Sequence, residues 1–66
     1  MKKQQVVTVT IQVPNGAVAM ALAQFVKRLG WQELRQNAVS EGEAYLMRDG
    51  VDAVQRGLSD SGFSPR

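Results

Sequence analysis

The chain has 66 residues, a net charge of +2 and an apolar content of 44%. This length allows one domain, and the composition excludes an extensively disordered protein. The absence of cysteine and histidine excludes disulfides, thiolate metal sites and the usual catalytic base. No apolar run approaches the roughly 20 residues of a membrane-spanning helix. We therefore expect a small cytoplasmic protein that is not an enzyme, binds no cofactor or metal, and does not enter a membrane.

The N-terminal segment alternates apolar and polar residues over residues 7–13, which is the pattern of a half-buried strand. Its apolar face consists of Val7, Val9, Ile11 and Val13. Its polar face consists of Thr8, Thr10 and Gln12. A single strand leaves its backbone groups unpaired, and a chain near sixty residues buries only about 60% of its unfolded surface. We therefore predict that this strand pairs with the same strand of a second copy in a homodimer.

The next segment, residues 14–16, has two interpretations. Asn-Gly between apolar residues is a hairpin signal, and residues 17–20 would then return as a second strand. Alanine, however, favours helices over strands, and apolar residues recur at helical spacing over residues 18–29. We favour a helix that has Asn15 as its N-cap and ends at Gly30.

The connector that follows covers residues 31–39, with one helical turn over residues 31–35. A second helix begins next, because Ser40 at the N-cap and Glu43 three residues later form a capping box. Its apolar residues are spaced by three and four positions, as in a helix–helix seam. They are Ala44, Met47, Val51, Val54 and Leu58. Gly62 followed by an apolar residue has the pattern of a C-terminal glycine cap.

These elements predict an α+β fold with one N-terminal strand followed by two helices (β-α-α), in which the strand pairs across a homodimer. Residues 1–5 form a basic, polar arm, residues 6–62 form the domain, and residues 63–66 form a tail. The order of elements resembles that of the ribbon-helix-helix DNA-binding proteins of the Arc and MetJ kind. In that family the paired ribbon reads the DNA groove, so the resemblance implies that the polar face of the strand contacts bases.

The residue types on this face are also compatible with base contacts on physical grounds. A two-stranded ribbon fits the major groove, where glutamine pairs with adenine and threonine contacts base edges or thymine methyl groups. Lysine and arginine would contact phosphates. The candidate nucleic-acid contacts are Lys2, Lys3, Gln4, Thr8, Thr10, Gln12, Lys27 and Arg28. The first hypothesis is a small homodimeric DNA-binding module, a transcriptional autoregulator of a mobile element. Threonine and glutamine are also ordinary residues of a solvent-facing strand, and that alternative stays open.

Residues 22–31, 37–39, 43–49 and 62–66 carry a second resemblance. Together they are similar to a family of small proteins of proteobacterial mobile elements and prophages, which has no assigned activity. Such a setting favours a second hypothesis, a protein-binding module or an inhibitor of a host defence protein. The candidate interface residues are Val7, Val9, Ile11, Trp31, Tyr45, Met47, Val51 and Val54. Trp31, directly after Gly30, either caps the core or is an interface anchor, as tryptophan often is in binding hot spots.

Overall fold

Three helices are the regular elements of the computed structural model, which describes residues 5–64. Helix α1 is Gly16–Arg28, α2 is Trp31–Asn37 and α3 is Glu41–Asp60. Both α1 and α2 pack against α3. The 20-residue α3 is therefore the central element, and the two shorter helices depend on it for the burial of their apolar faces.

The predicted α+β fold is wrong, because residues 5–64 contain three helices and no strand. The side chains of Val7, Val9 and Ile11 are 78%, 75% and 61% exposed. They therefore do not form the predicted core between a sheet and the helices. Alternating β-branched residues favour a strand locally, but a strand also needs a partner for its backbone groups. Without this strand the paired ribbon of a ribbon-helix-helix protein cannot form, so that part of the prediction is wrong as well.

Helix α1 begins as predicted, and the alternative hairpin is excluded. Asn15 is the N-cap, and its Oδ1 accepts a hydrogen bond from the backbone N–H of Val18 at 2.9 Å. The helix ends at Arg28, with Leu29 as its C-cap. Its last turn carries Lys27 and Arg28, where positive charge interacts favourably with the helix dipole.

Helix α2 is longer than the single turn predicted for the connector. Its first turn is supported by Glu33, whose Oε1 accepts a hydrogen bond from the backbone N–H of Gly30 at 2.7 Å. Its end is supported by Asn37, whose Nδ2 donates to the carbonyl oxygen of Glu33 at 2.8 Å. The first bond satisfies a backbone N–H that the start of a helix leaves free, and the second adds a side-chain donor to a carbonyl of the last turn. Leu34 is the residue of α2 that is buried.

Helix α3 begins as the capping signal predicted. The Oγ of Ser40 accepts a hydrogen bond from the backbone N–H of Glu43 at 3.2 Å. The Oε1 of Glu43 accepts from the backbone N–H of Val39 at 2.8 Å, one residue before the N-cap. In a standard capping box Glu43 would accept from the backbone N–H of Ser40. Here it accepts from the preceding residue, and the side chains of Ser40 and Glu43 still cap the helix.

The C-terminus of α3 forms the predicted glycine cap. Gly62 has a φ of 96°, a value that glycine adopts without a Cβ penalty. The backbone N–H of Phe63 donates to the carbonyl oxygen of Leu58 at 2.8 Å, and that of Gly62 donates to Ser59 at 3.0 Å. This pair of bonds is the Schellman motif. It turns Phe63, which the sequence assigned to the tail, back onto the apolar cluster around Leu58.

The core of the described residues is small. Ala23, Val26 and Leu58 form its buried cluster, and Phe63 and Val51 are among the partly buried residues packed against it. No large side chain in residues 5–64 is fully buried. The apolar area that this fold removes from water is therefore limited, as expected for a chain of this size.

The N-cap of α3 supplies a direct test of these helix boundaries. We expect Ser40→Ala to lower the free energy of unfolding by about 1 kcal/mol, because the backbone N–H of Glu43 loses its acceptor. Ser40→Asp keeps an acceptor at the same position and should retain most of the stability. Urea unfolding followed by circular dichroism would measure both values. Equal stability of the two variants would contradict the capping role of Ser40.

Candidate functional site

An apolar groove lies between α1 and α2, and α3 forms its floor. Its volume is about 540 Å³. All three helices and the C-cap of α1 contribute to its lining. The lining residues are Phe25 and Val26 of α1, the C-cap Leu29, Glu33, Leu34 and Asn37 of α2, and Met47, Gly50, Val51 and Val54 of α3. Apolar side chains predominate, so an occupant would gain mainly from the removal of apolar surface from water.

The floor of the groove is the middle of the apolar stripe predicted for the second helix. Ala44 and Leu58, at the two ends of that stripe, are buried. Between them Met47 and Val51 are only half-buried, and Val54 is exposed. The helix–helix seam that the spacing predicted is therefore closed at its ends and open in its middle.

The groove is also accessible to another backbone. A Cβ added at Gly50 would have no neighbouring heavy atom within 4 Å, so space remains above the floor at this point. Phe25 is 58% exposed on the α1 side of the groove. An exposed aromatic ring beside an open apolar floor is typical of an interaction surface.

A second feature, an aromatic stack, joins α2 to α3. The rings of Trp31 and Tyr45 have their centroids 4.7 Å apart at an interplanar angle of 43°. The guanidinium of Arg48 lies 5.1 Å from the centroid of the Tyr45 ring. Tilted aromatic pairs and cation–π contacts each contribute about 0.5–1 kcal/mol at exposed sites. The stack therefore helps to hold α2, one side of the groove, in a fixed position on α3.

The structure separates the predicted interface residues into three places. Met47, Val51 and Val54 lie together in the groove. Trp31 and Tyr45 form the stack. The apolar residues of the predicted strand, Val7, Val9 and Ile11, lie in residues 5–13, which precede α1 without regular structure.

The predicted nucleic-acid contacts are not brought together on one element. Lys2, Lys3 and Gln4 lie outside the described residues. Thr8, Thr10 and Gln12 are exposed but belong to no ribbon. Lys27 and Arg28 lie at the end of α1, where Nη2 of Arg28 donates to Oε1 of Gln24 at 2.7 Å.

The distribution of charge also bears on the nucleic-acid hypothesis. Residues 5–64 contain five basic side chains and six acidic ones. The net charge of +2 therefore depends on Lys2, Lys3 and Arg66, outside the described part. The helical body does not carry the excess of positive charge that phosphate binding favours.

Sequence reasoning missed the contributions of Phe25, Leu29 and Leu34 to the groove. The helical spacing of Phe25 and Leu29 placed them on an apolar face, but their spacing does not reveal what covers that face. Leu34 was assigned to a connector with one helical turn over residues 31–35 and was not expected in a core or a groove. The sequence does contain one signal of the groove. Gly50 lies in the middle of the apolar stripe of α3, where the lack of a side chain leaves space.

Residues 5–64 thus form a small three-helix fold with an open apolar groove. The chain belongs to DUF7706, a family of unknown function whose family model matches residues 1–66. Comparison with curated proteins and with solved structures found no match. Within residues 5–64, no helix combines the length and apolar character needed to cross a membrane. The same residues contain no group of three or more His, Cys, Asp or Glu side chains arranged to hold a metal ion.

Proposed function

We propose that this protein is a non-catalytic protein-binding module whose binding surface is the apolar groove. The observation that carries the proposal is the uncovered middle of the α3 stripe, flanked by Phe25 on one side and by Leu34 on the other. A monomer with a small core gains stability from every apolar residue that it buries. Apolar side chains that remain open in such a chain indicate burial against a partner.

The shape of the groove indicates the kind of segment that it binds. A floor of one helix between two others accepts either an amphipathic helix or an extended apolar segment. Phe25, Met47 and Val54 would contribute most of the contact area. The resemblance to proteins of mobile elements supports a host protein, including a defence protein, as one class of partner. The hypothesis of DNA binding depends on a different set of residues, namely Lys2, Lys3, Gln4, Thr8, Thr10, Gln12, Lys27 and Arg28.

The test compares groove variants with a matched control. Phe25→Asp and Val54→Asp each place a charge in the groove at a position that is exposed in the free chain. The control is Leu46→Asp, the same chemical change on α3 at a side chain that is 71% exposed and outside the groove. We expect both groove variants to bind the partner at least tenfold more weakly, because a bound partner would bury their carboxylate.

The measurement is capture of proteins by the immobilised chain and its three variants, followed by titration of any stoichiometric partner. Loss of that partner in both groove variants, with retention by Leu46→Asp, would support the proposal. Equal capture by all four proteins would contradict it. A DNA shift at low salt that weakens steeply as salt is raised, and is unaffected by the groove variants, would favour the nucleic-acid hypothesis instead.

A further inference from the structure

The chain contains a second uncovered apolar feature besides the groove. In residues 5–13 the side chains of Val7, Val9 and Ile11 recur at every second position, and all three are exposed. In an extended backbone, residues at this spacing lie on one side, about 7 Å apart. The three side chains together span about 14 Å. One molecule thus carries two uncovered apolar features. They are the groove and a strip formed by Val7, Val9 and Ile11, which is separate from the stripe of α3.

The lengths of the two features agree. From Met47 to Val54 the floor of the groove extends over seven residues of helix, or about 10 Å. An extended segment with three apolar side chains would cover this floor from end to end. The absence of a side chain at Gly50 would let the backbone of that segment approach α3 closely.

The segment of the same chain does not cover the groove. Val7, Val9 and Ile11 are 78%, 75% and 61% exposed, and Phe25 and Val54 of the groove are exposed as well. The strip and the groove of one molecule are therefore both free to bind those of another.

The total surface of the chain agrees with association. Its accessible surface is 5735 Å², whereas a compact monomer of 7.2 kDa would expose about 4,100 Å². The excess is about 1,600 Å² by the same scaling. A stable interface of standard size removes about 800 Å² from each partner. Residues 5–12 are exposed and lie outside the helices, so they contribute to this excess, and covering them in a second copy would remove part of it.

From these observations we infer that the groove binds residues 7–11 of a second copy of this chain, and that two copies exchange these segments reciprocally. The inference rests on the proposed function, because it names the partner of the same groove. Each contact joins a segment of one copy to helices of the other and requires no β-sheet. Reciprocal exchange produces a closed two-fold dimer in which both strips and both grooves are covered.

The test uses one substitution in each half of the contact. Ile11→Asp alters the segment and Val54→Asp alters the groove, and both side chains are exposed in the free chain, so the helices should be retained. Thr10→Asp is the control, because it introduces the same charge at the neighbouring polar position. Light scattering over a dilution series would give the mass, and circular dichroism would confirm the helix content. If an aspartate variant loses helix content, the serine variant at the same position, Ile11→Ser or Val54→Ser, is measured in its place.

We expect wild type and Thr10→Asp to have twice the mass of one chain, and Ile11→Asp and Val54→Asp to dissociate at least 100-fold more readily. An equimolar mixture of the two defective variants should form a heterodimer. In that pair the intact segment of the Val54→Asp chain occupies the intact groove of the Ile11→Asp chain. The mixture should therefore dissociate less readily than either variant alone.

Three results would overturn the inference. They are a wild-type monomer at all concentrations, undiminished dimerisation of either defective variant, and a mixture that dimerises no better than its components. A wild-type monomer that still captures another protein through Phe25 and Val54 would reject self-association and retain the proposed function. If the wild type forms the segment-exchanged dimer and captures no other protein, the inference is supported and the second copy is the protein that the groove binds.

Discussion

Replacing Leu58 by aspartate is expected to unfold the chain. Leu58 is only 8% exposed and belongs to the buried cluster with Ala23 and Val26. Since residues 5–64 have no buried polar or charged residue, the new carboxylate would be buried without a partner. Such a change costs about 4 kcal/mol or more. A single core in a chain this small rarely supplies more than about 3–5 kcal/mol.

The control for this variant is Leu46→Asp, the same substitution on the same helix at an exposed side chain. Its free energy of unfolding should lie within about 0.5 kcal/mol of the wild-type value. Far-UV circular dichroism and urea unfolding would compare the two proteins. A Leu58→Asp protein with native helix content and a cooperative transition would show that the contact between α1 and α3 does not form the core.

The ends of the helices could be predicted because they depend on local interactions. Asn15 and Ser40 cap α1 and α3 through bonds to residues three positions later, and Gly62 ends α3 through bonds within the last turn. All the partners of these interactions are close in sequence. The hydrogen bonds that support α2 are equally local. Glu33 at N3 accepts from the backbone N–H of the N-cap Gly30, which is one half of a capping box. Glycine has no side chain for the other half, so the sequence lacks the usual Ser/Thr signal for the start of this helix.

The strand could not be predicted reliably for the opposite reason. Alternation in residues 7–13 specifies a conformation that requires a partner elsewhere, and no local signal reveals whether that partner exists. The expected effect of Ile11→Asp differs between the predicted strand and the observed structure. A sheet–helix core predicts that the variant unfolds, whereas an exposed Ile11 predicts that the chain stays folded.

The groove was predictable only in part. The stripe that contains Met47, Val51 and Val54 was evident from its spacing, and these residues do lie together. The spacing of apolar residues on α3 gives no information on where α1 and α2 pack along that helix. Their positions decide which part of the stripe is covered. That position depends on close packing at Ala23 and Ala44, which are completely buried, and small residues give little sequence signal of such packing.

The second large effect is therefore expected from enlarging these two alanines. Because neither retains exposed surface, the added atoms of Ala23→Leu or Ala44→Leu have no space at the helix contacts. Overpacking of this kind costs about 1–3 kcal/mol, a large part of the stability available to a core of this size. Ala21→Leu and Ala53→Leu are matched controls at exposed positions of α1 and α3. Leucine and alanine have similar helix propensities, so the controls should be nearly neutral.

The emission of Trp31, the one tryptophan of the chain, distinguishes the two contacts. Ala44→Leu acts in the first turn of α3, next to Tyr45, whose ring contacts Trp31 of α2. Displacement of α2 would expose the indole and shift its emission to longer wavelength under native conditions. Ala23→Leu should lower the unfolding midpoint with less change in the native emission, because it acts between α1 and α3. If Ala44→Leu matches Ala53→Leu in both stability and emission, α2 does not pack closely on α3. The groove would then lack the fixed second side on which the proposed binding depends.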